Sequence, residues 1–127
     1  KLKKLDEWND RRKEIAANYL LHLKDHPNLI LPYLPSWAIP SWHIFPVRTN
    51  QRDNLQFFLK TQGINTLIHY PIPPHLSKAY EDLGFGQSSF PISEKIASSE
   101  LSLPIGPHIS LKQVKYINKN LISFSNY

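Results

Sequence analysis

An adjacent histidine and tyrosine, His69 and Tyr70, stand where an apolar run meets a segment rich in proline, NTLIHYPIPPH. A histidine ring can exchange hydrogen bonds with a phosphate or a sugar hydroxyl, and a tyrosine offers a ring for stacking and a hydroxyl for hydrogen bonding. Pro71, Pro73 and Pro74 restrict the backbone that follows. The pair is therefore the sharpest candidate for a binding site, and the alternative is a structural pair at the end of a buried strand.

The other chemically capable residues give weaker signals. His22 and His26 have the four-residue spacing of two zinc ligands on a helix. Pro27 makes a helical His26 unfavourable and no third ligand is obvious, so we favour a solvated helix end and predict no metal site. The glycine-containing stretch GFGQSS, residues 84–89, follows a helix pattern and indicates a loop. Three further histidines are isolated in the sequence: His43, His75 and His108.

No complete catalytic set can be assembled from the sequence motifs. The chain has no G-x-S-x-G elbow, no Walker loop and no G-x-G-x-x-G motif. Its 127 residues, 41% of them hydrophobic and 20% charged, are typical of one compact domain. No apolar run approaches the roughly 18 residues that a membrane span needs. The absence of cysteine excludes disulfides and fits a reducing compartment, so we expect a cytoplasmic protein that does not bind membranes.

The net charge of +5 raises the question of nucleic acid binding. Basic and acidic side chains are mixed in residues 1–26, and Lys112, Lys115 and Lys119 fall on the solvent face of a helix pattern. The sequence contains no motif of an RNA-binding sheet or of a DNA-reading helix. We therefore predict no nucleic acid partner.

The elements that must position these residues follow from hydrophobic periodicity. The three-and-four spacing of apolar residues predicts a long helix over Leu2–Leu23. This pattern is already in register at Lys1 without an N-cap residue, which indicates a piece of a longer polypeptide. Pro27 ends the helix, and an extended connection that contains Trp37 and Trp42 follows.

The rest of the chain predicts short strands alternating with helices. The pattern indicates a strand over 42–49, a helix over 51–63 that closes on Gly63, a strand over 64–70 and a short helix over 75–84. A further helix begins near Pro91 in PISEKIASSELSLP, with Ile92, Ile96 and Ala97 inward. A short strand in LSLPI and a last helix over Leu111–Phe124 complete the chain. The expected class is α/β, of the two-layer α+β kind: a few-stranded sheet packed with helices.

Several of these residues together resemble a known family. Asn9, Arg12, Ala16 and Tyr19 are followed by the patterns WHIFPVRT..RD.L..FL...GI.T.IHYPIP.H...AY..LG and P.SE.IA...LSLPI.P. From about Leu5 to Phe124 the chain resembles the C-terminal part of the DegT/DnrJ/StrS family of sugar aminotransferases. Members of that family are fold type I enzymes that use pyridoxal phosphate.

The resemblance implies that residues 1–127 are a single small C-terminal domain, and that the large domain, with its Schiff-base lysine and its pyridine-binding aspartate, lies outside this chain. By the same resemblance this piece holds no catalytic and no cofactor-binding residue and is inactive alone. The full enzyme would be a homodimer that transfers an amino group from glutamate to a nucleotide-linked keto sugar, in amino-sugar and polysaccharide biosynthesis such as that of lipopolysaccharide.

For the site, the resemblance implies that His69 and Tyr70 contact substrate phosphate or sugar near the dimer interface. His43, Arg48, Asn9 and Arg12 are secondary candidates for domain contacts or support of the site. Three alternatives stay open: a pyridoxal phosphate-dependent sugar dehydratase, a regulatory relative of the same fold, and a stand-alone module that binds anionic ligands.

Overall fold

The computed structural model describes residues 2–124 as a small sheet covered by helices. The helices are α1 (Leu5–Leu23), α2 (Arg52–Thr61), α3 (Pro91–Ser99) and α4 (Leu111–Phe124), the strands are β1 (Phe45–Arg48) and β2 (Glu100–Leu103), and 3-10 turns lie at Leu2–Lys4, Pro74–Leu76 and Lys78–Leu83. This mixture of helices with a two-stranded sheet confirms the predicted fold class.

The sheet joins two distant parts of the chain. β1 runs antiparallel to β2, with Phe45 opposite Leu103 and Arg48 opposite Glu100. Isolated bridges extend the sheet on both sides, from Ile30 to Arg48 and from Leu67 to Ser102. Successive side chains of a strand point to opposite faces, so the sheet has a leucine face toward the helices and a second face that carries Glu100 and Ser102.

The core forms where α1 and α4 pack against each other, and their buried residues belong to one apolar cluster with those of β1 and β2. Each side chain of this size stabilises the fold by about 1.5–3 kcal/mol when it is fully buried. The fully buried large side chains are Ile15, Tyr19, Leu23, Phe45, Val47, Leu55, Leu59, Leu101, Val114 and Leu121. The apolar residues of α4 opposite its lysines are buried: Val114, Ile117, Leu121 and Phe124. Its three lysines, Lys112, Lys115 and Lys119, are exposed as predicted.

Local chemistry sets the helix ends. Gly63, just after α2, has a φ of 73°, a left-handed conformation that glycine adopts at little cost. Pro91 occupies the first turn of α3, where its missing N–H is not needed. Ser110 and Gln113 form a capping box at the start of α4: the Gln113 side chain accepts from the Ser110 N–H at 2.9 Å, and the Ser110 hydroxyl accepts from the Gln113 N–H at 3.2 Å.

Three sequence predictions are corrected by the structure. The predicted strand over 64–70 is reduced to the single bridge at Leu67. The predicted helix over 75–84 is two 3-10 turns, because Ser77 between them is extended, with a ψ of 145°. α3 ends at Ser99, where Glu100 turns extended to pair with β1, and Ile92 and Ile96 face outward with 76% and 40% of their surface exposed.

A large part of the apolar surface lies on the connection between α1 and β1. Tyr33, Trp37 and Ile39 each have more than four fifths of their surface exposed. Trp42 instead packs its ring 5.3 Å from that of Phe45. Trp37 is therefore exposed, whereas Trp42 is half-buried. Among residues 2–124, none of the helices has the length and apolar character to cross a bilayer.

Candidate functional site at His69 and Tyr70

His69 is fixed by a buried carboxylate and a buried hydroxyl. Its backbone N–H donates to Glu100 Oε2 at 2.8 Å, and its ring Nδ1 lies 2.9 Å from Ser102 Oγ. The Ser102 hydroxyl in turn donates to Glu100 Oε1 at 2.5 Å. Glu100 and Ser102 are 3% and 5% exposed, whereas His69 is half-buried. The imidazole is thus anchored on one side and free on the other.

The register of β2 brings this network together. Glu100 and Ser102 alternate with Leu101 and Leu103, so both polar side chains project from the same face of the sheet. The bridge between Leu67 and Ser102, with hydrogen bonds of 2.7 and 3.3 Å, lays the segment before His69 along β2. His69 follows Leu67 by two residues and therefore meets that same face.

Tyr70 lines a cavity formed by segments 69–74 and 89–97. Its side chain is 73% exposed and its ring meets that of His69 edge-on, with 5.5 Å between the ring centroids. The peptide bond between the two residues is cis. The cavity has a volume of about 590 Å³. Its lining is mainly apolar: His69, Tyr70, Ile72, Pro73, Pro74, Ser89, Phe90, Pro91, Ile92, Ser93, Ile96 and Ala97.

Glu94 ties the two loops that wall this cavity. Its carboxylate accepts hydrogen bonds from the backbone N–H groups of Ser88 at 3.0 Å and Phe90 at 3.2 Å, and it lies 3.0 Å from His75 Nε2. These contacts, the Ser88 N–H above all, lower the pKa of Glu94 below its ordinary value. The Phe90 ring packs between those of His75 and Phe85, with centroid distances of 4.8 and 5.1 Å.

His43 shares a second cavity with His69. This cavity has a volume of about 330 Å³ and is lined by His43 and His69 together with segments 65–67 and 102–105. His43 itself is exposed. His69 therefore separates an apolar cavity from a more polar one, and of the secondary candidates His43 is the one placed beside it.

Arg48, Asn9 and Arg12 lie elsewhere. Arg48 stands opposite Glu100 in the strand register, yet it lines a separate cavity of about 220 Å³ together with Pro27 and Gln51. Arg12 Nη1 donates to Asn9 Oδ1 at 3.4 Å on α1, and Asn9 lines a cleft beside residues 39–41. These three residues therefore lie outside the two cavities that His69 lines.

Sequence reasoning missed Glu100, Ser102 and Glu94. The sequence pattern places Glu100 at the end of a helix and Ser102 in a short strand, without a role for either side chain. The alternation Glu-Leu-Ser-Leu over 100–103 is the signal that could have found them, because it marks a strand with two polar residues on one face. Burial of that polar face depends on Leu67, which lies more than thirty residues away, and no local pattern reveals it.

The residues present make neither a metal centre nor a complete cofactor site. His22 Nδ1 lies 2.8 Å from Asn18 O, and His26 Nε2 lies 3.0 Å from Leu121 O, so both rings contact backbone carbonyls. No group of three potential metal ligands occurs in the described part of the chain. The cavity beside Tyr70 is lined by neither a lysine that could bond to the pyridoxal aldehyde nor an arginine that could bind its phosphate. These residues therefore do not fit pyridoxal phosphate on their own.

Comparisons with known proteins agree on one family. The EryC1 protein of Saccharopolyspora erythraea, named an erythromycin biosynthesis sensory transduction protein, is 49% identical over 117 residues, which are 92% of this chain and 32% of that protein. The dTDP-3-amino-3,6-dideoxy-alpha-D-galactopyranose transaminase of Aneurinibacillus thermoaerophilus is also 49% identical, over 92% of this chain and 31% of its own length.

The fold has a close counterpart among solved structures. The crystal structure of DesV from S. venezuelae, solved in complex with a ketimine intermediate, matches 99% of this chain and 34% of that chain with a TM-score of 0.96 and 41% identity. The chain thus spans about a third of the length of these relatives. The model of the DegT/DnrJ/EryC1/StrS aminotransferase family matches residues 1–122. The chain belongs to the DegT/DnrJ/EryC1/StrS aminotransferase family.

Proposed function

We propose that residues 1–127 are the small C-terminal domain of a cytoplasmic, homodimeric aminotransferase that uses pyridoxal phosphate. The complete protein would transfer an amino group from glutamate to a nucleotide-linked keto sugar. The cofactor, when bound by the rest of the protein, supplies the electron sink for this chemistry. The present residues would contribute substrate contacts and the surface on which the large domain packs.

The match to DesV carries this proposal. The TM-score of 0.96 over 99% of the chain, at 41% identity, means that the backbone of this chain closely follows the matching part of DesV. The name of the Aneurinibacillus relative, a dTDP-sugar transaminase, supports a nucleotide-linked sugar as the substrate class. Because the chain spans about a third of these proteins, the catalytic lysine and the cofactor are assigned to the remaining two thirds.

The geometry at His69 and Tyr70 suits a substrate contact. Tyr70 is 73% exposed, and within residues 2–124 neither its hydroxyl nor His69 Nε2 has a hydrogen-bond partner. Both atoms are therefore available to a ligand with hydroxyl or phosphate groups. His69 is held by buried neighbours, which reduces the conformational entropy that binding would cost.

The cofactor's absorbance tests the proposed activity. The product of the complete reading frame that contains these residues is purified with pyridoxal phosphate and titrated with glutamate. We expect the aldehyde form of the cofactor to convert to the amine form, and a nucleotide-linked keto sugar to reverse the conversion. A protein that binds no cofactor, or whose cofactor ignores glutamate, would overturn the proposal and favour the regulatory role that EryC1's name suggests for that relative.

Substitutions at the pair test the proposed contact. In the complete protein, His69→Ala and Tyr70→Phe should each raise the KM for the keto sugar about tenfold, the effect of losing one hydrogen bond worth about 1.4 kcal/mol. The glutamate half-reaction should be unchanged. His108→Ala, which removes an exposed histidine on the loop before α4, is the matched control. Equal KM values for all four proteins would remove His69 and Tyr70 from the substrate site.

A further inference from the structure

We propose that Glu100 and Ser102 are positioning residues that keep the His69 proton on Nδ1, so that Nε2 accepts a hydrogen bond from a substrate hydroxyl. The position of the proton follows from the hydrogen-bond network alone. The identity of the donor as a sugar hydroxyl rests on the proposed function.

A count of protons along the network gives the direction of each hydrogen bond. An ionised carboxylate only accepts, so Ser102 must donate its single hydroxyl proton to Glu100 Oε1. The Ser102 oxygen can then only accept in its other contact, which is the 2.9 Å contact with His69 Nδ1. Nδ1 must therefore carry a proton. In a neutral imidazole this leaves Nε2 with a lone pair.

The surroundings of Glu100 hold this arrangement in place. Its second oxygen, Oε2, accepts the backbone N–H of His69 at 2.8 Å, so both carboxylate oxygens are occupied by donors. Glu100 and Ser102 are almost completely buried. Such a buried hydrogen-bond network resists rearrangement, because reversing any of its hydrogen bonds would leave a buried polar group without a partner.

The direction of the network separates two kinds of ligand. A lone pair on Nε2 accepts from a hydroxyl, which carries a proton, whereas an ionised phosphate oxygen carries none to give. Phosphate binding through Nε2 would need the opposite tautomer or a charged ring. The geometry thus assigns His69 to the sugar rather than to the diphosphate of a nucleotide-linked substrate.

Nitrogen NMR of the 127-residue chain tests the tautomer without any assay of activity. The chain is labelled with ¹⁵N at histidine, and the His69 signals are identified by their loss in His69→Ala. We expect a protonated Nδ1 and an unprotonated Nε2 in the unsubstituted chain near pH 8. We expect Ser102→Ala to move the proton partly to Nε2. A proton on Nε2 in the unsubstituted chain would overturn the proposal, and this outcome does not depend on whether variants of Glu100 or Ser102 fold.

Kinetics of the complete protein test the hydroxyl contact. Ser102→Ala should raise the KM for the keto sugar about tenfold and leave the glutamate half-reaction unchanged, while Ser102→Thr, which keeps a hydroxyl, should restore a KM near the original. Ser98→Ala is the matched control, since the exposed Ser98 hydroxyl donates to the carbonyl of Lys95 on α3.

The two measurements can overturn the proposed function and the hydroxyl contact separately. If the unsubstituted protein does not convert its cofactor with glutamate, the proposed function fails, and the NMR spectra still decide the tautomer. If the cofactor converts and Ser102→Ala changes the tautomer with no change in KM, the hydroxyl contact is overturned while the proposed function stands.

Discussion

Asn118, on α4, buries an amide that lacks a hydrogen-bond partner among residues 2–124. Its nitrogen and its oxygen are both inaccessible, and the residue is 3% exposed. Asn120, two residues later and also buried, donates its amide to the Tyr116 carbonyl at 2.8 Å. Both asparagines are therefore buried, but only the Asn120 amide has a hydrogen-bond partner among residues 2–124. This difference makes Asn120 a matched control for Asn118.

Asn118→Leu should stabilise the chain. The substitution replaces an unpartnered buried amide with an apolar side chain of similar volume, which should raise the free energy of unfolding by about 1–3 kcal/mol. Urea denaturation followed by circular dichroism measures this change. Asn120→Leu should give no such gain, because that amide already has a partner. A loss of stability in Asn118→Leu would contradict the assignment of its amide as unsatisfied.

Glu94 makes the cavity wall sensitive to acid. Hydrogen bonds, first that of Ser88, lower its pKa in the folded chain, so the ionised form stabilises the fold above the ordinary carboxyl pKa. That contribution disappears as the pH falls through the lowered pKa. Ser88 has a φ of 71°, which side-chain-bearing residues rarely adopt, and its hydrogen bond to Glu94 offsets part of this strain.

Glu94→Gln should therefore destabilise the chain at pH 7 and have little effect at pH 3. Urea denaturation of the parent chain and of Glu94→Gln, at several pH values from 7 to 3, measures the difference between their unfolding midpoints. This difference should become smaller as the pH falls below 4.5, the ordinary pKa of a glutamate. Glu81→Gln is the control, because this exposed carboxylate has no hydrogen bond or ion pair within residues 2–124. A midpoint difference that is the same at all pH values would contradict the linkage.

At the level of elements, Tyr19 joins α1 to the segment that follows β2. Its ring lies 4.9 Å from that of Phe45, and its hydroxyl donates to the Pro104 carbonyl at 2.7 Å. Burial raises the pKa of this hydroxyl above its ordinary value, so it stays protonated and remains a donor at all ordinary pH values. The contact fixes α1 relative to the strand that carries Glu100 and Ser102.

Tyr19→Phe should lower the free energy of unfolding by about 1.5 kcal/mol, because the partly buried Pro104 carbonyl loses its donor. Thermal and urea denaturation measure the loss. Tyr116→Phe removes another tyrosine hydroxyl, which donates to the Gln62 carbonyl at 3.1 Å on the exposed surface. This control should cost less than about 0.5 kcal/mol. Equal losses in the two variants would show that the Tyr19 hydroxyl has no special role.

The predictability of each element depended on how local its determinants are. α4 was predicted at its observed bounds, Leu111–Phe124, because its apolar period lies entirely within the helix. The strand predicted over 64–70 was wrong because only Leu67 finds a partner in the sheet. Ile92 and Ile96 have helical spacing but face the cavity and solvent rather than the core.

Some residues of the candidate site could likewise be predicted from local sequence, and others could not. His69 and Tyr70 could be selected from residue type and from their place before the prolines. Glu100 and Ser102 could not, since their contact with His69 depends on a register between segments that lie far apart in the sequence. Sequence patterns identify side chains that present chemistry to a ligand more readily than those that hold them in place.

For the whole molecule, the exposed connection between α1 and β1 predicts association. Tyr33, Trp37 and Ile39 are 88%, 84% and 85% exposed, and apolar groups clustered in this way favour a protein contact. We propose that the large domain covers them in the complete protein. On its own, the 127-residue chain should use the same residues to pair with a second copy.

Light scattering at high protein concentration tests this association. The chain should show a mass above that of a monomer, and the double variant Trp37→Ser, Ile39→Ser should shift it to a monomer. Phe57→Ser is the control, because Phe57 is 70% exposed on α2, away from this connection. A monomeric parent chain would contradict the prediction, and so would an equal effect of Phe57→Ser.

The pairing of β1 with β2 has a consequence for how the chain folds. The paired residues are at least 52 positions apart in the sequence, so the sheet forms only after a long loop closes. Such high contact order slows folding and makes the two halves interdependent. A cut in the exposed loop between Gly84 and Phe90 would separate the strands onto two pieces. Neither piece should fold alone, and mixing the two pieces should restore the sheet. If each piece were fused to a different protein, refolding of the sheet would therefore report that the two proteins are close together.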